Sequence, residues 1–417
     1  MTTAKTNPAK GAVAFSVDEI FFSRTDDRGV ITAGNEVFQH LSGYDWSELI
    51  GAPHKVIRHS DTPKSLFHLV WQRLKAGENV IFYVKNKAKD GRYYWVLAFA
   101  SPMDGGFVSV RVKPTSKMFE MIAPLYEDLR QEEEEIGWNA EEHGHARLLE
   151  RLAEEGFDSY DAFASEVSLA EGNARRIELN RMPNPAAENL VAVSKSVETL
   201  NGEVAELAEI FQRIRTTPIN LGIMANRIER SGGPISAISG IYSSMSAEIG
   251  DWLDGFLKKS DEAFVRMQKK TSDCLATLAI AEISQEMLAA FEAETDMERE
   301  FNHHDEIFKL KKGARTSART TRNAISSIRN DAIDMQNAVH VLKRHVMSLS
   351  STRVLCEIES AKLPTRSESL EGVVAQLADF QEEIEELHKR IESGTQSIIA
   401  CLSTDVLVTE TETQEAA

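Results

Sequence analysis

The stretch Val56-Ile57-Arg58-His59-Ser60-Asp61-Thr62-Pro63 concentrates more potential chemistry than any other part of this 417-residue chain. Two cation-forming side chains and a carboxylate sit between an apolar run and a helix-starting proline. Arg, His and Asp are costly to bury unless they pair with one another or hold something. Arg58, His59 and Asp61 therefore read either as an internal ion pair locking a helical loop or as part of a binding site. Other groups offer less. His143-Gly144-His145 beside Glu141 and Glu142, and His303-His304-Asp305-Glu306, have the composition of metal clusters, yet solvated helix ends account for both more simply. No P-loop, kinase-type nucleotide site, clustered metal ligands or supported nucleophile–base pair stands out, so the chain is not expected to be an enzyme.

The elements that must position Arg58, His59 and Asp61 are α/β in character. Phe21-Phe22-Ser23-Arg24-Thr25 and Val30-Ile31-Thr32 flank Asp26-Asp27-Arg28-Gly29, which reads as a hairpin. Short helical segments follow through Asn35–Leu41 and Ser42–Gly51, the latter with an Asp or Ser cap. Pro63 to Lys75 is an amphipathic helix with Leu66, Leu69, Val70 and Leu74 at helical spacing. Alternating runs at Val80–Lys85, Tyr93–Ala98 and Phe107–Val112 close the segment, separated by Lys89-Asp90-Gly91 and Asp104-Gly105-Gly106. A five-stranded antiparallel sheet with helices crossing one face is the economical solution. Such a cup leaves an apolar hollow suited to a ligand.

Composition narrows the classes of function. A net charge of −18 argues against non-specific nucleic-acid binding and against an anionic membrane surface. No window approaches the run of about 18 apolar residues that spans a bilayer, so no membrane insertion is expected. The N-terminus lacks a secretory apolar segment. Cys274, Cys356 and Cys401 are sparse and unclustered, which fits reduced thiols. The cytoplasm is the expected location.

Thr32-Ala33-Gly34-Asn35, Leu41-Ser42-Gly43-Tyr44, Glu48-Leu49-Ile50-Gly51, Arg58-His59-Ser60-Asp61 and Val84-Lys85-Asn86-Lys87 fall in order across residues 15–115. Together they resemble a PAS domain, and more narrowly the PAS domain of bacterial aerotaxis receptors. That family holds FAD non-covalently and reads its redox state. The resemblance implies flavin contacts at Asn35, Arg58, His59, Asp61, Phe67, Trp71 and Asn86. Arg58 and His59 suit phosphate or ring acceptors, Asn86 the ring edge, and Trp71 an aromatic wall. One position departs: a tryptophan of that family is matched here by Val80, which removes a stacking surface. Haem, a small metabolite or an empty structural module are the other readings of the hollow.

After Lys113-Pro114 the strand signals stop. Phe119–Arg151 reads as charge-rich helix, with Glu132–Glu135 as a solvated face. Gly156-Phe157-Asp158 breaks and restarts it, Asp158 serving as cap. Beyond Met182-Pro183-Asn184-Pro185, apolar residues keep three-four spacing in four seams: Leu190–Ile214, Ile235–Phe256, Ile325–Leu349 and Leu370–Ile391. Seams of this kind specify helices that supercoil on partners. Short breaks at Gly232-Gly233-Pro234 and Leu363-Pro364-Thr365 imply antiparallel hairpins.

Ile228-Glu229 and Ile358-Glu359-Ser360-Ala361-Lys362, each entering a break, resemble eroded copies of the hairpin tip of methyl-accepting chemotaxis receptors. Two tandem copies imply that one chain builds a pseudo-twofold four-helix bundle. The expected organisation is a disordered segment 1–14, a sensor 15–115, a helical connector 116–182, hairpins 186–292 and 300–402, and a disordered tail 403–417. The fold class is α+β PAS followed by a long all-α antiparallel coiled coil or four-helix bundle.

The expected function is a soluble redox or oxygen sensor coupled to a chemoreceptor-like helical output, acting through a junction near Val112–Phe119. The alternative is a scaffold that regulates chemotaxis-type complexes without sensing. The resemblance implies a chemotaxis-type histidine kinase or its coupling protein as partner, and self-association through the PAS domain or bundle is the further contact it leaves open.

Overall fold

Alternating side chains of five strands send one set of residues to each face of a sheet, and that division organises the first part of the structure. The computed structural model describes residues 11–137, 140–214, 217–229, 233–294, 300–362 and 368–403. Its strands are β1 (Phe21–Thr25), β2 (Ile31–Gly34), β3 (Val80–Lys87), β4 (Tyr93–Met103) and β5 (Gly106–Val112). They form an antiparallel sheet in the order β2-β1-β5-β4-β3. Helices α1 (Glu36–Ser42), α2 (Trp46–Leu49) and α3 (Lys64–Lys75), with a 3-10 turn at His54–Ile57, lie between β2 and β3. After the sheet come α4 (Ile122–Ile136), α5 (Ala140–Glu154), α6 (Tyr160–Glu178), α7 (Pro185–Ile214), α8 (Thr217–Glu229), α9 (Pro234–Ala293), α10 (His303–Ala361) and α11 (Glu368–Cys401).

The chain divides into two compact units. The first runs to Ala187 and includes Ser272–Asn323; the second comprises Glu188–Thr271 and the chain from Ala324. Helices α9 and α10 thus contribute residues to each.

In the first unit the sheet face turned away from α3 is also apolar and needs cover. Phe22 meets Phe291 of α9 edge-on at 4.9 Å, and Trp95 meets Phe119 at 5.4 Å. Tyr160 of α6 donates to the Ile81 carbonyl at 2.9 Å, and Tyr126 of α4 to the Tyr83 carbonyl at 2.7 Å. Helices α4, α5 and α6, with the parts of α9 and α10 that belong to this unit, therefore share one core with the sheet.

Three local expectations change. The helix expected through Phe119–Arg151 is two helices, because Gly137 adopts φ 72 at the end of α4. The solvated face expected at Glu132–Glu135 is partly internal: Arg147 and Arg151 both donate to Glu132 at 2.9 and 2.8 Å. Ser159, rather than Asp158, caps α6 by accepting from the Ala162 amide at 3.1 Å.

Glu133 has a specific task. Helix α3 begins after Pro63, which has no side-chain acceptor for the first amides. Glu133 accepts from the Lys64 and Ser65 amides at 2.9 and 2.7 Å, placing its carboxylate on that helix N-terminus. Helix α5 can pack close to α3 at this point because Gly144 lacks a Cβ that would sit 2.6 Å from the Ser65 Cβ. Glu133→Ala is expected to lower stability by about 1–2 kcal/mol, and Glu133→Gln by less, in urea denaturation followed by circular dichroism.

In the second unit most of the described seam residues are buried, including Leu190, Val197, Leu207, Ile249, Ile328, Leu342, Leu377 and Ile391. Contacts run antiparallel. Arg390 of α11 donates to Glu206 of α7 at 2.6 Å, while Phe211 meets Phe380 at 5.5 Å. Arg266 of α9 donates to Asp331 of α10 at 3.0 Å, and Trp252 lies 6.0 Å from His345. Arg353 of α10 donates to Gln381 of α11 at 2.8 Å. The breaks at 230–232 and 363–367, the terminal segments 1–10 and 404–417, and the side chains of Glu141, Glu142, His143 and Glu229 lie outside the described residues.

Helix α9 alone among the described helices is long and apolar enough, by length and composition, to cross a membrane, with 33% of the qualifying window buried. This corrects the expectation that no window comes near that limit. The helix reaches it on average composition rather than by an unbroken apolar run.

Candidate functional site

The inward face of the sheet and α3 enclose a cavity of about 330 Å³. Strand parity delivers its lining: Ser23 from β1, Phe82, Val84 and Asn86 from β3, and Phe107, Ser109 and Arg111 from β5. From the other side come Phe67 and Trp71, one turn apart on α3, with His54 and Arg58 from the loop between α2 and α3. Trp71 meets Phe107 edge-on at 5.4 Å. Gly29 is required beside it: its φ is +79, and a Cβ there would lie 3.1 Å from the Trp71 ring.

The charges of this cavity have one sign. Arg28, Lys55, Arg58 and Arg111 line it, and among the described residues no carboxylate does. Arg28 is paired outside the cavity with Asp26 at 2.9 Å. Arg111 is different, being only 2% exposed. Its Nη1 donates to Ser23 Oγ at 2.9 Å and the Ser109 carbonyl at 3.2 Å, and its Nη2 to His54 Nε2 at 2.7 Å. Among the described residues no carboxylate pairs with it. Burial pushes its pKa down to about 10, with Tyr94 opposing, so it stays charged at neutral pH.

Because His54 Nε2 accepts from Arg111, this imidazole is neutral with its proton on Nδ1. Burial, reinforced by the Arg111 charge, holds its pKa at about 3. An unfolded histidine titrates near pH 6.5, so below that pH the unfolded chain binds a proton that the folded chain refuses. The stability tied to His54 is complete above pH 6.5 and is lost as pH falls toward 3. Acidification from pH 7 to 4.5 is expected to remove about 1–3 kcal/mol through this group, and His54→Asn to flatten that part of the profile in urea denaturation.

The structure divides the residues implied by the sequence. Arg58, Phe67, Trp71 and Asn86 line the cavity. The Arg58 guanidinium sits 3.9 Å from the centre of the Phe67 ring, and Asn86, 2% exposed, leaves its Nδ2 donor without a partner. Ser109 Oγ is a second buried polar atom without a partner on the same wall.

Asn35, His59 and Asp61 do not line the cavity. Asn35 is fully buried, and its Oδ1 accepts from the Phe22 and Phe38 amides while Nδ2 donates to the Ile20 carbonyl. It joins β1 to the start of α1. His59 Nδ1 accepts from the Asp61 amide at 3.1 Å, and burial keeps the ring's pKa below its usual value although Asp61 opposes this. Lys85 donates to Asp61 at 2.6 Å; partial burial works against the carboxylate, yet the Lys85 hydrogen bond and the neighbouring charges leave its pKa lowered. His59 and Asp61 thus fasten the loop to β3, while Arg58 beside them faces the cavity. Val80 is buried in β3 and is not part of the lining.

Sequence reasoning missed His54, Ser23, Ser109 and Arg111. For the last two the signal was parity: in Phe107–Val112 they share the face of Phe107, and an inward arginine on a buried strand asks for an explanation. Elsewhere, among the described residues, no group of three or more His, Cys, Asp or Glu is placed to hold a metal. His303 packs 4.2 Å from the Phe291 ring, and Glu306 engages Arg24.

A family model described as the PAS fold matches residues 31–111. The chain is 41% identical over 117 residues to the aerotaxis receptor of Escherichia coli K12, covering 27% of this chain and 23% of that protein. Over 82 residues it is 33% identical to the biofilm dispersion protein BdlA of Pseudomonas aeruginosa PAO1, covering 19% of this chain and 20% of that protein. The chain therefore spans less than a quarter of the length of these curated relatives. Among solved structures, the PAS domain of a protein from Colwellia psychrerythraea aligns with 18% identity and a TM-score of 0.20, over 22% of this chain and 85% of that one. Strand order, helix placement and the family match agree: residues 31–111 are the greater part of a PAS-fold module, which this chain carries ahead of a long helical region.

Proposed function

We propose that this chain is a cytoplasmic signalling protein whose PAS module holds FAD and passes a redox-dependent change to a chemoreceptor-like helical output. The observation that carries the reading is the buried Arg111 charge, without a carboxylate, facing a cavity beside the unpartnered Asn86 amide. When bound, FAD supplies a redox centre whose charge changes on reduction.

The residues present suit such a ring. Phe82, Val84, Trp71 and Phe107 give apolar walls, and Asn86 and Ser109 offer polar atoms at the ring edge. Arg111 offers a fixed positive charge, and His54 and Ser23 hold its fork in place. At about 330 Å³ the cavity is near the lower end for ligand sites, with space for a ring system rather than a whole dinucleotide. Arg28 and Lys55, exposed at the mouth, and Arg58 beside them suit phosphates reaching outward. Loss of the family's tryptophan at Val80 is offset in this reading by Trp71 and Phe107.

The output partner in this proposal is a chemotaxis-type histidine kinase or its coupling protein. Supporting it are exposed apolar side chains near the ends of the helices, Ile219 and Ile223 on α8 and Leu355 and Ile358 on α10. The chain itself carries out no reaction in this proposal.

An absorption spectrum of the purified protein, in air and after dithionite, tests it. Flavin bands that bleach on reduction are the expected result. A haem Soret band, or a colourless protein that takes up no added FAD, would rule the redox reading out.

A further inference from the structure

We propose that β1 is a lever carrying changes at the cavity floor to the start of α10 through the Arg24–Glu306 ion pair. What the lever reports rests on the flavin reading above, but its existence does not.

Ser23 belongs to the cavity floor. Its hydroxyl accepts from Arg111 at 2.9 Å and lies 3.1 Å from His54 Nε2. The next residue must point to the opposite face of the sheet. There Arg24 donates to Glu306, four residues into α10, and the two side chains are 11% and 2% exposed. One peptide unit therefore separates the group that feels the ligand from the group that holds the helix.

Two features make this connection mechanical. The pairing of β1 with β2 shifts register between Arg24 and Thr25, and an irregularity of this kind is where a strand yields by bending or twisting. The ion pair is buried, so separating it leaves an uncompensated charge, and moving both partners together costs less. Lys309 lies 3.7 Å from Glu306, giving the carboxylate a second cation within reach and hence a second arrangement.

Neighbouring contacts hold Glu294, just after α9, and Phe301, just before α10, against the same edge of the module. The Glu36 amide donates to Glu294 at 3.1 Å, and Trp46 meets Phe301 edge-on at 5.5 Å. Displacement of β1 therefore has a direct route into helices that continue beyond this unit. This route is separate from the covalent exit of the sheet at Val112–Phe119.

Hydrogen exchange on the full chain, read in peptides covering residues 20–27 and 303–313, tests the lever. In ligand-free protein, Ser23→Ala is expected to speed exchange in 303–313 by about threefold or more. In the Glu306→Gln background the same substitution is expected to leave 303–313 unchanged, although 20–27 still responds. A Ser23→Ala effect confined to 20–27, or one that persists undiminished with Glu306→Gln, would overturn the proposal. Circular dichroism of each variant guards against unfolding, and Ser23→Thr provides a gentler substitution if Ser23→Ala fails to fold. Adding FAD as a probe forms the second arm: it is expected to alter exchange in 303–313 of the wild type only. Failure of FAD to bind would remove the redox reading, while the ligand-free arm still decides the lever.

Discussion

Arg111→Met is expected to weaken FAD binding about a hundredfold while changing the unfolding free energy by less than ~1 kcal/mol. The two halves of that result come from one fact. A guanidinium buried to 2% exposure with neutral partners gives the fold little, because its desolvation offsets its hydrogen bonds to Ser23, Ser109 and His54. Methionine has similar bulk and no charge to bury, so packing survives. What disappears is the fixed positive charge at the cavity floor, which an anionic or readily reduced ring would use. Arg111→Lys keeps a charge but not the fork, and should bind with intermediate affinity. Flavin fluorescence titration and thermal melts on the same variants check both halves. A stability loss of 3–5 kcal/mol without an affinity change would instead make Arg111 a structural residue.

Glu171→Ala is expected to destabilise the first unit by about 3–5 kcal/mol, more than any other single substitution considered. Glu171 lies on α6 with 2% exposure. Its carboxylate accepts from the Tyr83 hydroxyl at 2.7 Å, the Thr115 amide at 2.6 Å, the Ser116 amide at 3.0 Å and the Ser116 hydroxyl at 2.9 Å. Burial first, and then the nearby Glu171 charge, push the Tyr83 pKa far up, so that hydroxyl remains a donor at any ordinary pH. Alanine would leave buried donors on a strand and at the exit of the sheet without an acceptor at once. Glu171→Gln retains a carbonyl oxygen and should lose about half as much. Urea unfolding followed by tryptophan fluorescence measures the difference, since Trp95 packs on Phe119 next to this junction. A loss below ~1 kcal/mol would mean that water replaces the carboxylate and the junction is not held there.

Local patterns carried much of the fold. The alternation in Val80–Lys85, Tyr93–Ala98 and Phe107–Val112, and the turn residues between them, define strands that the structure extends by only a few residues. Three-four spacing likewise marked helices whose described seam residues are mostly buried. What could not be read was the far face of the sheet. Nothing local to Arg24 indicates Glu306, which is 282 positions away, and nothing local to Pro63 indicates that Glu133 caps the helix after it. Both are long-range contacts made by side chains whose charges look solvated in sequence, Glu306 with the Arg24 guanidinium and Glu133 with backbone amides.

The candidate site was legible in the same uneven way. Arg58, Phe67, Trp71 and Asn86 converge on the cavity, whereas the adjacent His59 and Asp61 turn back to β3 through Lys85. A loop motif contiguous in sequence has no period that fixes which residues face inward. Asn35 lies away from the cavity for another reason: its side chain satisfies backbone groups of its own neighbourhood, a role that looks identical in sequence to a ligand contact.

The most direct test of the central claim is the identity and stoichiometry of what the cavity holds. Protein purified without added cofactor is heat-denatured, and the released small molecules are quantified by mass spectrometry beside Arg111→Met protein prepared identically. FAD at close to one per chain in the wild type, and largely absent from the variant, is the expected result. FAD released in equal amounts from both proteins, or none from the wild type even after incubation with excess FAD, would contradict it.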